Sequence, residues 1–301
     1  MAKILVTGSS GFIGRHLVPL LQQRGHAVVE AGRSRRSGAA SHVFIAGIGP
    51  KTDWTGKLNA VDAVIHLAGL AHRQATDEAF HKVNEAGAKH LLEACDSSGV
   101  SAFILLSSIA ARLVEMEPDK ASAYGRSKLG AERHLISAGQ SIKGIALRPP
   151  LVYGHDAPGN WRSLQKLAAS GIPLPFKAIE NRRSLCSIDN LCNAILIALE
   201  SSLKGRGGGI YEIADVEPVS LPGIIAGLRE GMGRNPRLFP VPTGIVRGAL
   251  SLIGGEKRSE SLLDDLTLDP SCFMQAFGWT PPEKAKEAIR KSGRLFVSNR
   301  R

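Results

Sequence analysis

Three side chains have the types and spacing for a proton transfer. Tyr124 and Lys128 stand four apart in Tyr124-Gly125-Arg126-Ser127-Lys128, which puts both on one face of a helix. A free tyrosine titrates near about pH 10, and an adjacent ammonium stabilises the phenolate, so the expectation is a phenol brought towards neutral pH. Reduction of a carbonyl needs such a proton donor. Ser107 and Ser108 follow the apolar run Phe103-Ile104-Leu105-Leu106, so they belong at the carboxyl end of a buried strand, the edge where open α/β sheets bind ligands. From there Ser108 can hold the reacting oxygen. A lone Tyr or Lys on a helix is an ordinary surface residue; the trio gains meaning from the turn that precedes it.

That turn is Thr7-Gly8-Ser9-Ser10-Gly11-Phe12-Ile13-Gly14, placed between an apolar strand pattern and a helical one. Glycine permits positive φ, removes the Cβ that would block a pyrophosphate and lets helix approach strand, while the helix N-terminal amides meet negative charge. Gly8, Gly11, Phe12, Ile13 and Gly14 are therefore the candidate cofactor contacts. About 20 residues further on, an NAD site places a carboxylate for the adenosine ribose. This chain has Gly32-Arg33-Ser34-Arg35-Arg36 there. A small residue followed by guanidinium forks suits a 2′-phosphate, so NADP(H) is the preferred cofactor, with Arg33 as its main contact. The competing reading is a solvated basic loop with Glu30 as the ribose carboxylate and NAD(H) as cofactor.

Positioning such residues takes alternating strands and helices. Strand patterns fall at Ile4 to Thr7, Ala27 to Glu30, His42 to Ile45, Ala63 to Leu67, Phe103 to Leu106 and Ile145 to Leu147. Helical periodicity lies between them, as in Ile13, Leu17, Leu20 and Leu21. The fold class expected is α/β, a doubly wound parallel sheet with a smaller C-terminal substrate lobe. Residues 1–158 form the dinucleotide-binding domain and 159–301 mainly the lobe; a helix at Ile188 to Leu199 and a strand at Ile210 to Ala214 bring 187–215 back to the sheet. Pro19 inside the first helix predicts a bend or a strained turn.

The chain has 301 residues, 43% hydrophobic and 22% charged, enough for one or two globular cores and far from a disordered or coiled-coil composition. No apolar run reaches the roughly 18 to 20 residues of a membrane span, which predicts a soluble, cytosolic protein with no membrane partner. Cys95, Cys186, Cys192 and Cys272 form no C-x-x-C pair, and His72, His81 and His155 show no ligand spacing, so no metal is expected. The net charge of +11 favours an anionic partner. Its cations are dispersed and form no nucleic-acid motif, which points to a small anion rather than to DNA or RNA. The apolar stretch from Gly244 to Ile253 reads as a packed helix of the lobe, and the tail Asn299-Arg300-Arg301 as frayed.

Taken together, these residues resemble the extended short-chain dehydrogenase/reductase family, whose dinucleotide domain is a Rossmann fold. The matching motifs are Thr7-Gly8-x-x-Gly11-x-x-Gly14, Asp62 with His66-Leu67-Ala68-Gly69, Val83-Asn84, Ser107-Ser108, Tyr124-x-x-x-Lys128, Arg148-Pro149-Pro150-Leu151-Val152-Tyr153-Gly154, Arg183 through Asp189-Asn190-Leu191, and Gly278-Trp279-x-Pro281. Within the family the chain looks most like the nucleotide-sugar branch of 4-epimerases, 4,6-dehydratases and 4-reductases. From Leu147 to Leu191 it is similar to bacterial enzymes that process UDP-linked amino sugars for surface polysaccharide. The resemblance implies that Tyr124 is the general acid/base and that Lys128 activates it and holds the nicotinamide ribose. It implies that Ser108 holds the substrate oxygen and that Leu67, Ala68 and Gly69 line the cofactor trough. It further implies a diphosphate grip by Arg183, with Asn160 near it and Arg258 a weaker candidate, and a homodimer through the helices near 78 to 96 and 124 to 138. Arg182 and Arg183 as a plain solvated pair is the alternative to that grip.

Departures from the family pattern separate the reactions. The dehydratases carry an Asp-Glu pair directly after the catalytic Ser/Thr, whereas Ser108 is followed by Ile109-Ala110-Ala111. Epimerases typically retain NAD and the carboxylate that Gly32-Arg33 replaces. The expectation is therefore hydride transfer from NADPH to a ketone, the 4-keto group of a UDP-linked deoxy or amino sugar. A nucleotide-sugar 4-epimerase is the second reading and a catalytically silent NADP(H)-binding sensor the third. Only 16 positions separate Ser108 from Tyr124, with Ala110-Ala111-Arg112 where the family commonly has Tyr-Gly. The segment that flanks the sugar is thus shortened, and natural-product or lipid-linked ketones stay open as substrates.

Overall fold

The structure, a computed structural model, describes residues 1–35, 37–71, 75–138, 142–254, 260 and 262–298. Arg36, His72, Arg258 and the tail Asn299-Arg300-Arg301 lie outside them.

Short apolar runs flanked by glycine or polar residues become strands β1 (Lys3–Thr7), β2 (Ala27–Gly32), β3 (Ser41–Phe44), β4 (Ala63–His66), β5 (Ala102–Leu106) and β6 (Lys143–Arg148). Two further strands, β7 (Leu151–Tyr153) and β8 (Leu185–Ser187), form a small parallel pair of their own, and β9 (Gly209–Glu212) returns to the main sheet. That sheet has seven strands in the order β3-β2-β1-β4-β5-β6-β9, all parallel. Every strand predicted from an apolar run is present, with ends shifted by no more than two residues. Parallel strands covered by helices are apolar on both faces, and Ile4, Leu5, Val6, Ala63, Val64, Ile65, Phe103 and Ile145 are accordingly without solvent exposure. The chain steps outward from β1 to β3 and then crosses back to lay β4 on the other side of β1, so the connections diverge at the carboxyl ends of β1 and β4. A crevice at such a switch point is where this architecture binds ligands.

Helix α1 (Phe12–Gln23) follows β1 and continues through Pro19. Proline removes one backbone bond, but full burial of Leu17, Val18 and Leu21 holds the helix continuous across it. Next come α2 (Asp77–Phe80), capped by Thr76, a π-helical turn over His81–Ala86, and α3 (Gly87–Ser97). Ser108 caps α4 (Ile109–Met116), and Ser122 caps α5 (Ala123–Ser137).

The chain divides into two compact units. The first comprises Met1–Pro149, Cys192–Ile213 and Ser271–Thr280; the second Pro150–Leu191, Ala214–Pro270 and Pro281–Arg301. In the second unit lie α6 (Gly159–Ser170) and the start of α7 (Ile188–Ser202), followed by α8 (Leu221–Gly231) and α9 (Thr243–Gly254). Helix α10 (Ser271–Phe277) belongs to the first unit, where Phe273 and Phe277 pack edge-on against Tyr211 of β9, and α11 (Ala285–Ser298) to the second. The packed-helix expectation for 244–253 holds on one face of α9: Val246 is buried, while Ile245 and Leu252 are exposed.

Asp215, 1% exposed, organises the second unit. It accepts from Tyr153 Oη (2.8 Å), Asn190 Nδ2 (2.7 Å) and the Ser187 amide (3.0 Å). Burial, with a smaller push from the charge of Glu283, raises its pKa, and these three donors only partly offset that. Tyr153→Phe removes one donor from a buried carboxylate; urea unfolding should show a loss of about 1–3 kcal/mol with an unchanged denaturant slope.

Candidate active site

At the carboxyl edge of the first unit the chain turns tightly between β1 and α1. Gly8 has φ of +71°, and a Cβ there would stand 2.7 Å from the Ala68 amide nitrogen. At Gly14 a Cβ would stand 2.5 Å from the Gly8 carbonyl oxygen, so the third glycine is what lets helix meet strand. The Gly11 amide closes the turn on the Gly8 carbonyl at 3.0 Å. No side chain caps α1, and its first turn holds no acidic residue. Its free amides and bare glycine backbone fit a dinucleotide pyrophosphate. Phe12 and Ile13 are half-buried at the start of the helix, as are Leu67 and Ala68 beside the turn, while Gly69 is exposed.

A buried polar chain holds that trough in place. The Ala68 amide donates to Thr7 Oγ1 (3.3 Å), which lies 2.8 Å from His66 Nδ1. Burial, then the charge of Lys128, pulls the His66 pKa down to about 3, so a neutral imidazole shares the hydrogen bond with the threonine hydroxyl. One residue past the trough, Asn84 clamps the backbone of Leu70, accepting from its amide (2.7 Å) and donating to its carbonyl (3.0 Å). Asn84 Nδ2 also reaches Ser127 Oγ (3.0 Å), which donates to the Tyr124 carbonyl (2.9 Å). The π turn that carries Asn84 thereby ties the trough to α5.

The predicted trio comes together. Lys128 Nζ donates to the Leu106 carbonyl at the end of β5 (2.7 Å). A Cβ on Gly69 would be 3.4 Å from that ammonium, so lysine and trough adjoin. Ser108 Oγ accepts from the Ala110 amide (3.2 Å), and Ser108 neighbours the Tyr124 phenol and favours its ionised form. Phe80 packs edge-on against the Tyr124 ring, 5.9 Å between centroids. One expectation is corrected here: the phenol is not drawn towards neutral pH. Burial raises its pKa, the influence of Ser108 only partly offsets this, and Lys128 spends its proximity on the Leu106 carbonyl. The lysine itself moves down to about 8, burial outweighing the opposing charge of Glu132.

Beneath this trio lies a charged cluster that motif spacing did not reveal. Glu132 has no exposed surface, yet it accepts hydrogen bonds from Ser107 Oγ and from Arg148 twice, Nε at 2.8 Å and Nη2 at 2.5 Å. Arg148 extends to Glu115 at 2.8 Å. The available signal was periodicity: Tyr124, Lys128 and Glu132 follow one another at four-residue intervals on α5.

Arg33 is exposed immediately beyond Gly32, the last residue of β2. Arg35 instead donates twice to the Ala39 carbonyl, at 3.3 and 2.9 Å. Glu30, 1% exposed, lies within β2 in register with Val6 and His42. Asn160 and Arg183 both belong to the second unit. Asn160 is exposed on the first turn of α6. Arg183 is not half of a solvated pair: it is half-buried, Nη1 donates to the Asp264 carbonyl (2.5 Å), and burial lowers its pKa against the pull of Asp264 and Asp265.

The profile of the NAD dependent epimerase/dehydratase family matches residues 4–214. The chain is 30% identical to the UDP-glucose 4-epimerase of Vibrio cholerae, over 98% of this chain and 95% of the relative. It is 27% identical to the 2-alkyl-3-oxoalkanoate reductase of Stenotrophomonas maltophilia, over 96% and 98% of the two chains. Its fold is that of the Bacillus cereus UDP-N-acetylglucosamine 4-epimerase, with a TM-score of 0.78 at 20% identity, covering 98% of this chain and 99% of that one.

The buried His66 makes stability depend on pH. Below about pH 6.5 the unfolded chain binds a proton there, and the folded chain does not until about pH 3, so protonation favours unfolding as pH falls through that window. Between pH 6.5 and 5, urea titrations should show stability declining with a slope approaching about 1.4 kcal/mol per pH unit from this group. His66→Gln should flatten the slope.

Proposed function

The chain belongs to the NAD dependent epimerase/dehydratase family, and from that premise we propose that it reduces a ketone with NADPH, the 4-keto group of a UDP-linked deoxy or amino sugar being the substrate. The observation that carries this reading is a phenol kept protonated by burial beside Ser108, on the helix that buries Lys128 and aims it at the end of β5. A phenol in that state is a proton donor. Bound NADPH supplies the hydride. Ser108 holds the ketone oxygen, and as charge develops on that oxygen Tyr124 gives up its proton. Ser108, the neighbour that favours the ionised phenol, stabilises the phenolate that remains. Lys128 has one proton committed to Leu106, leaving two for ribose hydroxyls. Ser108 leads straight into the apolar start of α4, Ile109-Ala110-Ala111, which holds neither acid nor base for eliminating water.

Choice of NADPH rests on Gly32 and the exposed Arg33, which admit and attract a 2′-phosphate where a carboxylate would repel it. A half-buried arginine retaining free donors supports Arg183 as the grip on the diphosphate, and the chain's surplus of positive charge favours such an anion. Family resemblance extends the reading to a homodimer. A 4-epimerase is the second reading, favoured by the Vibrio cholerae relative at 30% identity.

Incubation with a UDP-4-keto-6-deoxy sugar and NADPH should consume the nicotinamide absorbance. No consumption, together with interconversion of UDP-sugars without added cofactor, selects the epimerase. Tyr124→Phe should lower kcat by roughly 100-fold or more while NADPH still binds. Arg33→Ala should weaken NADPH about tenfold or more and leave NADH unchanged; equal losses for both would exclude a 2′-phosphate contact.

A further inference from the structure

Helix α5 carries, directly after Tyr124, a residue that helix energetics disfavour. Gly125 lies in its first turn, where alanine would be the better helix former. A Cβ at that position would stand 2.6 Å from the Ala110 carbonyl oxygen and 2.8 Å from Val114 Cγ2. Both neighbours belong to α4, so the two helices make close approach one residue from the phenol. Helix α4 is also the element that Ser108 caps: Ser108 Oγ accepts from the Ala110 amide at 3.2 Å, and the same serine favours the ionised form of the Tyr124 phenol.

We propose that Gly125 is a positioning residue for the proton donor: its missing side chain lets α4 seat closely against α5, and that spacing sets how near the Ser108 hydroxyl stands to Tyr124. The obstacle to any larger residue is a backbone carbonyl, which cannot swing aside as a side-chain tip can. Pushing Ala110 away carries Ser108 with it, because the two are tied by the capping bond. α5 has little room to yield in the other direction. The Gly125 amide is held by Ser122 Oγ at 3.0 Å, and Lys128, one turn on, is anchored to Leu106 at 2.7 Å. The same glycine is thus unfavourable for the helix and necessary for the pair.

The consequence for turnover rests on the reduction proposed above, but the positioning does not. The phenol can be titrated in the full chain by NMR of 13C-labelled tyrosine, with Tyr124→Phe identifying the resonance among the three tyrosines. Gly125→Ala and Ser108→Ala should each raise its titration midpoint, since each weakens the influence of Ser108 that favours the phenolate. The double variant should shift it no further than either single one. A Gly125→Ala protein that titrates like the parent, or a double variant whose shift is the sum of the two, overturns the proposal. Val114→Ala with Gly125→Ala relieves the side-chain contact but keeps the carbonyl contact, and it should show the same upward shift. If neither glycine variant folds, the glycine serves the fold rather than the hydroxyl and the proposal is again overturned. In turnover of a UDP-4-keto sugar, Gly125→Ala should lose about tenfold in kcat with KM for NADPH unchanged. A parent protein that turns nothing over defeats the reduction reading and leaves the titration standing.

Discussion

The Lys128 ammonium is 6% exposed, and the carbonyl of Leu106 is the acceptor that makes its burial tolerable. Desolvation brings its pKa down to about 8, so near neutral pH it is still mostly charged while it costs the fold stability. Such a group tolerates little freedom. It requires α5 to cross the end of β5 at one height, and Tyr124, one helical turn before the lysine, is delivered to the sheet edge beside Ser108. The alignment of phenol, hydroxyl and ammonium is thus a consequence of where one buried charge can find a partner.

The cluster below it follows the same logic at higher stakes. Glu132 and Arg148 are almost wholly withdrawn from water, and isolated charges there would be prohibitive. They are tolerated because the guanidinium and carboxylate meet through two parallel bonds, with Ser107 and Glu115 completing the shell. Ser107 lies next to Ser108, so the cluster secures the strand end from which Ser108 follows. On the other flank, Thr7 with His66 and Asn84 with Leu70 fix the trough through neutral hydrogen bonds. Rigid supports on both sides hold the reacting groups, which is the condition for electrostatic preorganisation.

The raised pKa of Tyr124 shows where spacing misleads. Four-residue separation puts Tyr124 and Lys128 on one helical face, and from that alone the ammonium should favour the phenolate. Two facts absent from the spacing reverse the direction: the phenol is desolvated under Phe80, and the ammonium is directed at a backbone carbonyl. The reversal suits a proton donor better than the original expectation did. Arg183 gives a second example, because a doublet of arginines has no sign of its own burial until Asp264 and Asp265 are seen around it.

Local chemistry made much of this protein legible without coordinates. Period-two and unbroken apolar runs identify the seven strands of the sheet, glycine spacing identifies the turn after β1, and Ser108, Tyr124 and Lys128 are visible as types at usable intervals. These features rest on interactions within a few residues, for which sequence order is a sufficient record. Tertiary structure alone decided which distant groups meet: Glu132 with Arg148, Asn84 with Leu70, Thr7 with His66, and the α4 backbone with Gly125. Those contacts depend on the angle at which elements pack and on how much water is excluded between them. Both emerge only when the whole chain is folded, and so the protonation states and the placement of the reacting groups were settled there.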